Sequence, residues 1–108
     1  MFADIGKYLQ LAGRIKAELP RLREQLAATD YSATAGGGAV TATVNGRMEL
    51  VDLKIDPEAL SDGDAEMLSD LVKAAVSAAQ RNAAEAAAAA MKEITGGMDL
   101  PGLEGLMP

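Results

Sequence analysis

The sequence predicts an α+β fold in which a small antiparallel sheet lies between two long helices. Residues 40–44 alternate as in a strand, and the Asn45-Gly46 pair that follows favours a two-residue type I′ turn, whose two central residues need a positive φ. Residues 4–28 and 64–94 instead carry apolar side chains at helical spacing. The expected order is therefore helix, sheet, helix.

The apolar residues of the first helix recur at spacings of three and four, the pattern of a helix that packs along one seam. They are Ile5, Tyr8, Ala12, Ile15, Leu19, Leu22 and Leu26. Pro20 lies among them, and a proline removes one backbone hydrogen bond and crowds the preceding turn. We expect either a kink near Leu19 or two helices, the second beginning at Pro20.

Basic residues concentrate in the same helix. Residues 1–26 hold five bases and three acids, a net charge of +2, whereas the rest of the chain carries −8. The bases are Lys7, Arg14, Lys16, Arg21 and Arg23. Lys7, Arg14 and Arg21 share one heptad position outside the seam and follow one another at about 10 Å along the axis. This stripe is either a contact surface for a polyanion or the solvated face of an amphipathic helix, and both readings stay open.

The sheet is expected to have three strands. Residues 30–35 alternate weakly and predict an edge strand, and three glycines at 36–38 then turn the chain. This glycine run precedes a strand and lacks a following Lys-Ser/Thr pair, so it does not fit a phosphate-binding P-loop.

Across a two-residue turn, Val44 pairs with Arg47 and Val40 with Val51. One face then carries Val40, Ala42, Val44, Val51, Leu53 and Ile55. Met48 and Leu50 fall on the other face, which predicts either a bulge near Val51-Asp52 or a second protomer that covers the sheet.

The second helix follows Pro57, which ends the last strand. Asp62, Asp64 and Glu66 lie at its start, where capping explains them better than a cation site does. The helix is expected to pack through five apolar residues near its start: Met67, Leu68, Leu71, Val72 and Val76. Its alanine-rich half either packs closely or projects, and Gly96-Gly97 ends it. Residues 1–95 are thus expected to form one domain, and residues 96–108 an irregular tail.

The amino-acid composition limits the kinds of catalytic and metal sites that the chain can form. The 108 residues include neither Cys nor His, which removes most nucleophilic triads and zinc sites, so we expect no enzyme, no metal and no cofactor. Asp4 and Lys7 interrupt the apolar core that a secretory signal needs, and the longest apolar run is too short to span lipid. A cytoplasmic protein without a membrane partner or a small-molecule substrate is expected.

Several short segments, in this order and spacing, resemble the YbaB/EbfC family of bacterial nucleoid-associated proteins. They are Ala35-Gly36-Gly37-Gly38, Val44-Asn45-Gly46, Lys54-Ile55-Asp56-Pro57, Glu66-Met67-Leu68, Asp70-Leu71-Val72, Gly96-Gly97-Met98 and Leu100-Pro101. The resemblance implies an α-β-β-β-α protomer, a homodimer with helical arms, and binding to duplex DNA in the nucleoid.

Two functions follow from these features. The first is duplex DNA binding by a homodimer through the five bases of the first helix, largely by phosphate contacts without sequence preference. The net charge of −6 opposes it and predicts weak binding that depends steeply on salt. The alternative is a non-enzymatic protein–protein interaction module whose helices engage partner helices.

Overall fold

The computed structural model describes residues 2–61 and 63–96, with side chains from residue 4 onward. The elements are, in order, α1 (Phe2–Ala27), β1 (Asp30–Ala35), β2 (Val40–Asn45), β3 (Leu50–Ile55), a 3-10 helix (Pro57–Leu60) and α2 (Ala65–Thr95). The strands form one antiparallel sheet in the order β1-β2-β3. The predicted α-β-β-β-α protomer is confirmed, and β1 is an edge strand.

One face of the sheet packs against α2. The buried side chains there are Val40, Ala42 and Val44 of β2 and Ala75, Ala79 and Ala83 of α2, all at most 1% exposed. The three alanines recur every four residues and so lie on one stripe of the helix. A methyl side chain lets the helix backbone approach the sheet, so this part of α2 packs closely. Close packing or projection was predicted for the alanine-rich half from Ala83 onward, and Ala83 and Ala87 in that half are buried.

The second half of α1 packs against the end of α2. This cluster contains Ile15, Leu19, Leu22 and Leu26 of α1 with Ala87, Met91 and Ile94 of α2. The helix continues through Pro20, so the prediction of two separate helices is wrong. The burial of the seam begins only at Ile15. Ile5 and Tyr8, which continue it toward the N-terminus, are 52% and 55% exposed.

The hairpin turn differs from the prediction. Asn45 pairs with Glu49, and the backbone NH of Met48 donates to the carbonyl of Asn45 at 3.0 Å. The residue with a positive φ is Met48, at 66°. This arrangement is a three-residue loop, in which a left-handed residue follows a tight turn, rather than a two-residue type I′ turn.

Gly46 is required there for a different reason from the predicted one. A Cβ at this position would overlap the carbonyl group of Leu26, so the turn lies directly against the end of α1.

The register of β2 and β3 follows from that turn. Val40 pairs with Ile55 instead of the predicted Val51, because the longer loop shifts the partner by three residues and a bulge at Val51 adds a fourth. The bulge near Val51-Asp52 was one of two predicted explanations, and it is present. Leu53 and Ile55 still face the core, as expected.

Local capping sets the limits of α2. The side chain of Asp64 accepts a hydrogen bond from the backbone NH of Met67 at 2.9 Å, and Gly96 ends the helix with φ 66°. The predicted packing of Leu68, Leu71, Val72 and Val76 is confirmed, whereas Met67 is 41% exposed and lies outside the core. Asp62 and residues 97–108 lie outside the described part of the chain. Of the predicted tail, residues 96–108, only Gly96 is therefore described.

Candidate nucleic-acid interface

All five predicted contact residues are exposed on α1, but they form two rows rather than one field. At 3.6 residues per turn, the first row lies about 110° to one side of the buried stripe, and the second row about 80° to the other side. The first row contains Lys7, Arg14 and Arg21, and the second contains Lys16 and Arg23.

The surface between the rows, opposite the buried stripe, carries four small side chains together with one amide and one acid. We call it the outer face, and it consists of Gly6, Gln10, Gly13, Ala17, Pro20 and Glu24. A Cβ built at Gly6 or Gly13 meets no atom of the described residues within 4 Å. Glycine inside a helix costs about 1 kcal/mol relative to alanine, so these two glycines weaken α1, and no contact within the described part of the chain requires them.

Acidic neighbours accompany the first row. The guanidinium Nε of Arg14 lies 3.3 Å from a carboxylate oxygen of Glu18, and both side chains are about half exposed. Arg21 lines a shallow groove that also contains Glu18 and Glu93. Such exposed pairs contribute little to stability, but they reduce the positive potential along this row.

The second row continues onto the hairpin turn. Positions three and four residues away from Lys16 and Arg23 along α1 hold only Ala, Gly, Leu and Pro, so neither base has an acid at the spacing of a helical ion pair. Beside Arg23 an open groove of about 510 Å³ is lined by Pro20, Arg23, Glu24, Ala27 and Arg47.

The sequence did not indicate that Arg47 lies beside α1, because the predicted two-residue turn placed it in a strand opposite Val44. The signal that could have located it is the Asn-Gly pair in front of it, since glycine also marks places where two backbones approach closely.

The described residues offer neither a metal site nor a membrane-spanning helix. No group of three or more acidic side chains within residues 4–61 and 63–96 is placed to hold a metal ion. Within the described part of the chain, no helix combines the length and apolarity needed to cross a membrane.

Comparison with known proteins identifies the family of this chain. A sequence profile of the YbaB/EbfC DNA-binding family matches residues 1–98. A nucleoid-associated protein of Thermoanaerobacter pseudethanolicus is 44% identical over 100 residues, which cover 93% of this chain and 90% of that protein. A nucleoid-associated protein of Gemmatimonas aurantiaca is 40% identical over 101 residues, covering 94% and 93% respectively.

A solved structure is also similar. The crystal structure of an uncharacterized protein from Helicobacter pylori superposes with a TM-score of 0.58 at 32% sequence identity, covering 79% of this chain and 86% of that one. The match of sequence profile, relatives and fold extends over both helices and the sheet. This chain therefore belongs to the YbaB/EbfC DNA-binding family.

Proposed function

We propose that this protein binds duplex DNA in the bacterial nucleoid as a homodimer, through phosphate contacts made by the bases of α1 and with little sequence preference. The observation that carries this proposal is the placement of all five predicted bases along the two borders of one exposed outer face. Family membership supplies DNA as the partner, and the rows of bases supply the contact surface.

The dimensions of α1 fit a groove of duplex DNA. An α-helix with its side chains is about 10–12 Å across, and the major groove is about 12 Å wide. With the outer face turned inward, the two rows of bases point to the phosphates on the two sides. Within a row, bases seven residues apart are separated by about 10.5 Å along α1.

The outer face also explains the expected tolerance of sequence. Gly6, Gly13, Ala17 and Pro20 have no polar side-chain atoms, so only Gln10 and Glu24 of this face have side chains that can hydrogen-bond to base edges. Phosphate contacts position a protein on DNA but carry no sequence information directly. Unrelated duplexes should therefore bind about equally.

Apolar residues left exposed on the protomer support the homodimer. Leu50 and Val51 form an exposed patch on β3 and are 48% and 50% exposed, and Leu60 of the 3-10 helix and Met67 of α2 are 55% and 41% exposed. β3 is an edge strand, so its outward backbone groups are available to a partner. A second copy of the chain covering this patch would remove both the apolar side chains and the unpaired backbone groups of β3 from water.

Salt titration with two double variants tests the proposal. Each phosphate contact contributes about 0.9 to the slope of log K against log salt, so Arg14→Ala/Arg21→Ala should flatten the slope of a dimer by up to about 3.6. Lys16→Ala/Arg23→Ala should act similarly on the other row. Both variants are measured on two unrelated duplexes, with circular dichroism to verify folding. Unchanged slopes for both folded variants would show that α1 is not the DNA-binding surface.

A protein–protein interaction module is the second candidate, because the N-terminal end of α1 exposes an apolar stripe. Ile5, Tyr8 and Leu9 are 52%, 55% and 69% exposed. Ile5→Ser/Leu9→Ser separates the candidates, since it leaves every base in place. Salt-dependent DNA binding should persist in this variant. If wild-type protein shows no salt-dependent DNA binding at all, the interaction module becomes the better explanation of α1.

A further inference from the structure

We propose that the groove between α1 and the hairpin turn is a phosphate-binding site, in which Arg47 acts together with Arg23. This inference rests on the proposed DNA-binding function and adds a contact from the sheet to the helical surface. It extends the second row of bases, Lys16 and Arg23, beyond the end of α1.

The turn holds the backbone of Arg47 in one place. The side-chain oxygen of Asn45 accepts hydrogen bonds from the backbone NH groups of Arg47 at 2.9 Å and Glu49 at 3.2 Å. Gly46, directly before Arg47, lies against the carbonyl of Leu26 in α1. Arg47 is therefore positioned relative to α1 by both the turn and the helix.

A further contact ties the turn to α2. Met48 adopts a left-handed conformation with φ 66°, and its carbonyl oxygen accepts a hydrogen bond from the side-chain amide of Gln80 at 3.2 Å. Left-handed backbone is unfavourable for a residue with a side chain, and it persists where the surrounding structure holds it. These contacts hold the backbone of the hairpin turn, and with it the backbone of Arg47, in one conformation.

The groove has the chemistry of an anion site. It is open, has a volume of about 510 Å³, and places two arginines on its lining beside the uncharged Pro20 and Ala27. Each guanidinium offers five NH donors in a planar fork that suits the oxygens of a phosphate. Glu24 also lines the groove, so the formal charge of the lining side chains is +1.

A structural role for Arg47 is the competing explanation. The last turn of α1 contains no base, and a cation near the C-terminus of a helix is favourable by itself. In that case, loss of Arg47 lowers thermal stability and leaves DNA binding unchanged. The two roles therefore differ in what a charge-removing substitution changes.

The test compares Arg47→Gln with Arg81→Gln, which removes the same charge from an exposed position on α2. In a dimer, Arg47→Gln removes two phosphate contacts and should flatten the salt slope of duplex binding by about 1.8. Arg81→Gln should leave the slope at the wild-type value. If wild type binds and Arg47→Gln has the wild-type slope, or if both variants flatten it equally, the groove is not a phosphate site, and the proposed function of α1 is unaffected.

A second measurement examines the groove without DNA. In ¹⁵N-labelled protein, the arginine Nε–Hε signals are followed during titration with inorganic pyrophosphate. Arg23 and Arg47 should shift together and saturate, whereas Arg81 should not. Equal small shifts of all arginines would indicate general screening and would overturn the inference, even if α1 binds DNA.

Discussion

The contact between Gly46 and Leu26 joins the sheet to α1. It is a backbone-to-backbone approach that only a residue without Cβ permits, because a Cβ would overlap the Leu26 carbonyl. The same turn gives Met48 its left-handed conformation and places Arg47 beside Arg23. Gly46 thus allows the turn to lie against the helix that carries the proposed DNA contacts.

Gly46→Ala should therefore destabilise the protein by about 1–3 kcal/mol, the usual range for overpacking a well-packed site. Gly13→Ala is the matched control. It lies in α1 with open space around it and should stabilise the protein by about 0.5–1 kcal/mol through better helix propensity. Thermal and urea unfolding measure both. Equal stability of Gly46→Ala and wild type would mean that the turn does not lie against α1.

The importance of Gly46 could be predicted from the sequence, but its reason could not. Asn45-Gly46 marks a turn locally, whereas the overlap with Leu26 depends on a residue 20 positions earlier in the chain. The register error has the same origin, since it follows from the loop length and from the bulge at Val51. The local sequence pattern determines neither the length of the loop nor the position of the bulge.

Among the elements, α2 shows how alanine can form a core. Ala75, Ala79 and Ala83 are buried under Val40, Ala42 and Val44, and the small side chains set the distance between helix and sheet. The alanines on the opposite side, such as Ala88, are exposed. Identical residues thus have different roles according to helical phase.

Ala79→Leu should destabilise the protein by about 1–3 kcal/mol or more, because the added atoms have no space between α2 and β2. Ala88→Leu makes the same chemical change on the exposed side and should alter stability by no more than about 0.5 kcal/mol. Urea unfolding distinguishes the two. A similar effect of both substitutions would contradict the packing of α2 on the sheet.

Helical periodicity predicted both helices well, since residues 4–28 and 64–94 correspond to Phe2–Ala27 and Ala65–Thr95. It did not predict where the buried part of the α1 seam begins. A repeating apolar pattern identifies which face of a helix is packed, but α2 ends before it can cover Ile5 and Tyr8. The division of the bases into two rows follows from their angles to the buried stripe of α1, and the structure supplies the position of that stripe.

For the molecule as a whole, the protomer is an elongated body, 68 Å along its longest axis. Among the described residues, large apolar side chains are exposed at the N-terminal end of α1, on β3, and at Leu60 and Met67. A chain of about 100 residues buries a modest share of its apolar surface alone, so a second copy is expected to complete the core.

Light scattering at low micromolar concentration should therefore give the mass of two chains. Val51→Glu, which puts a charge into the exposed patch at β3, should shift the protein toward the mass of one chain. Thr34→Glu adds the same charge at an exposed position on the opposite edge strand and should leave the dimer intact. Folded wild-type protein with the mass of one chain would refute the homodimer.

The position of DNA on the surface can be measured by tethered cleavage, because the chain contains no cysteine of its own. Gly13→Cys and Thr34→Cys each provide a single attachment point for an iron–EDTA reagent, the first on the outer face of α1 and the second on β1. If α1 lies in a groove of the duplex, the reagent at position 13 should cleave DNA at many positions of two unrelated duplexes, and the reagent at position 34 should cleave far less. Bound DNA that is cleaved equally from both positions, or mainly from position 34, would contradict DNA binding by α1.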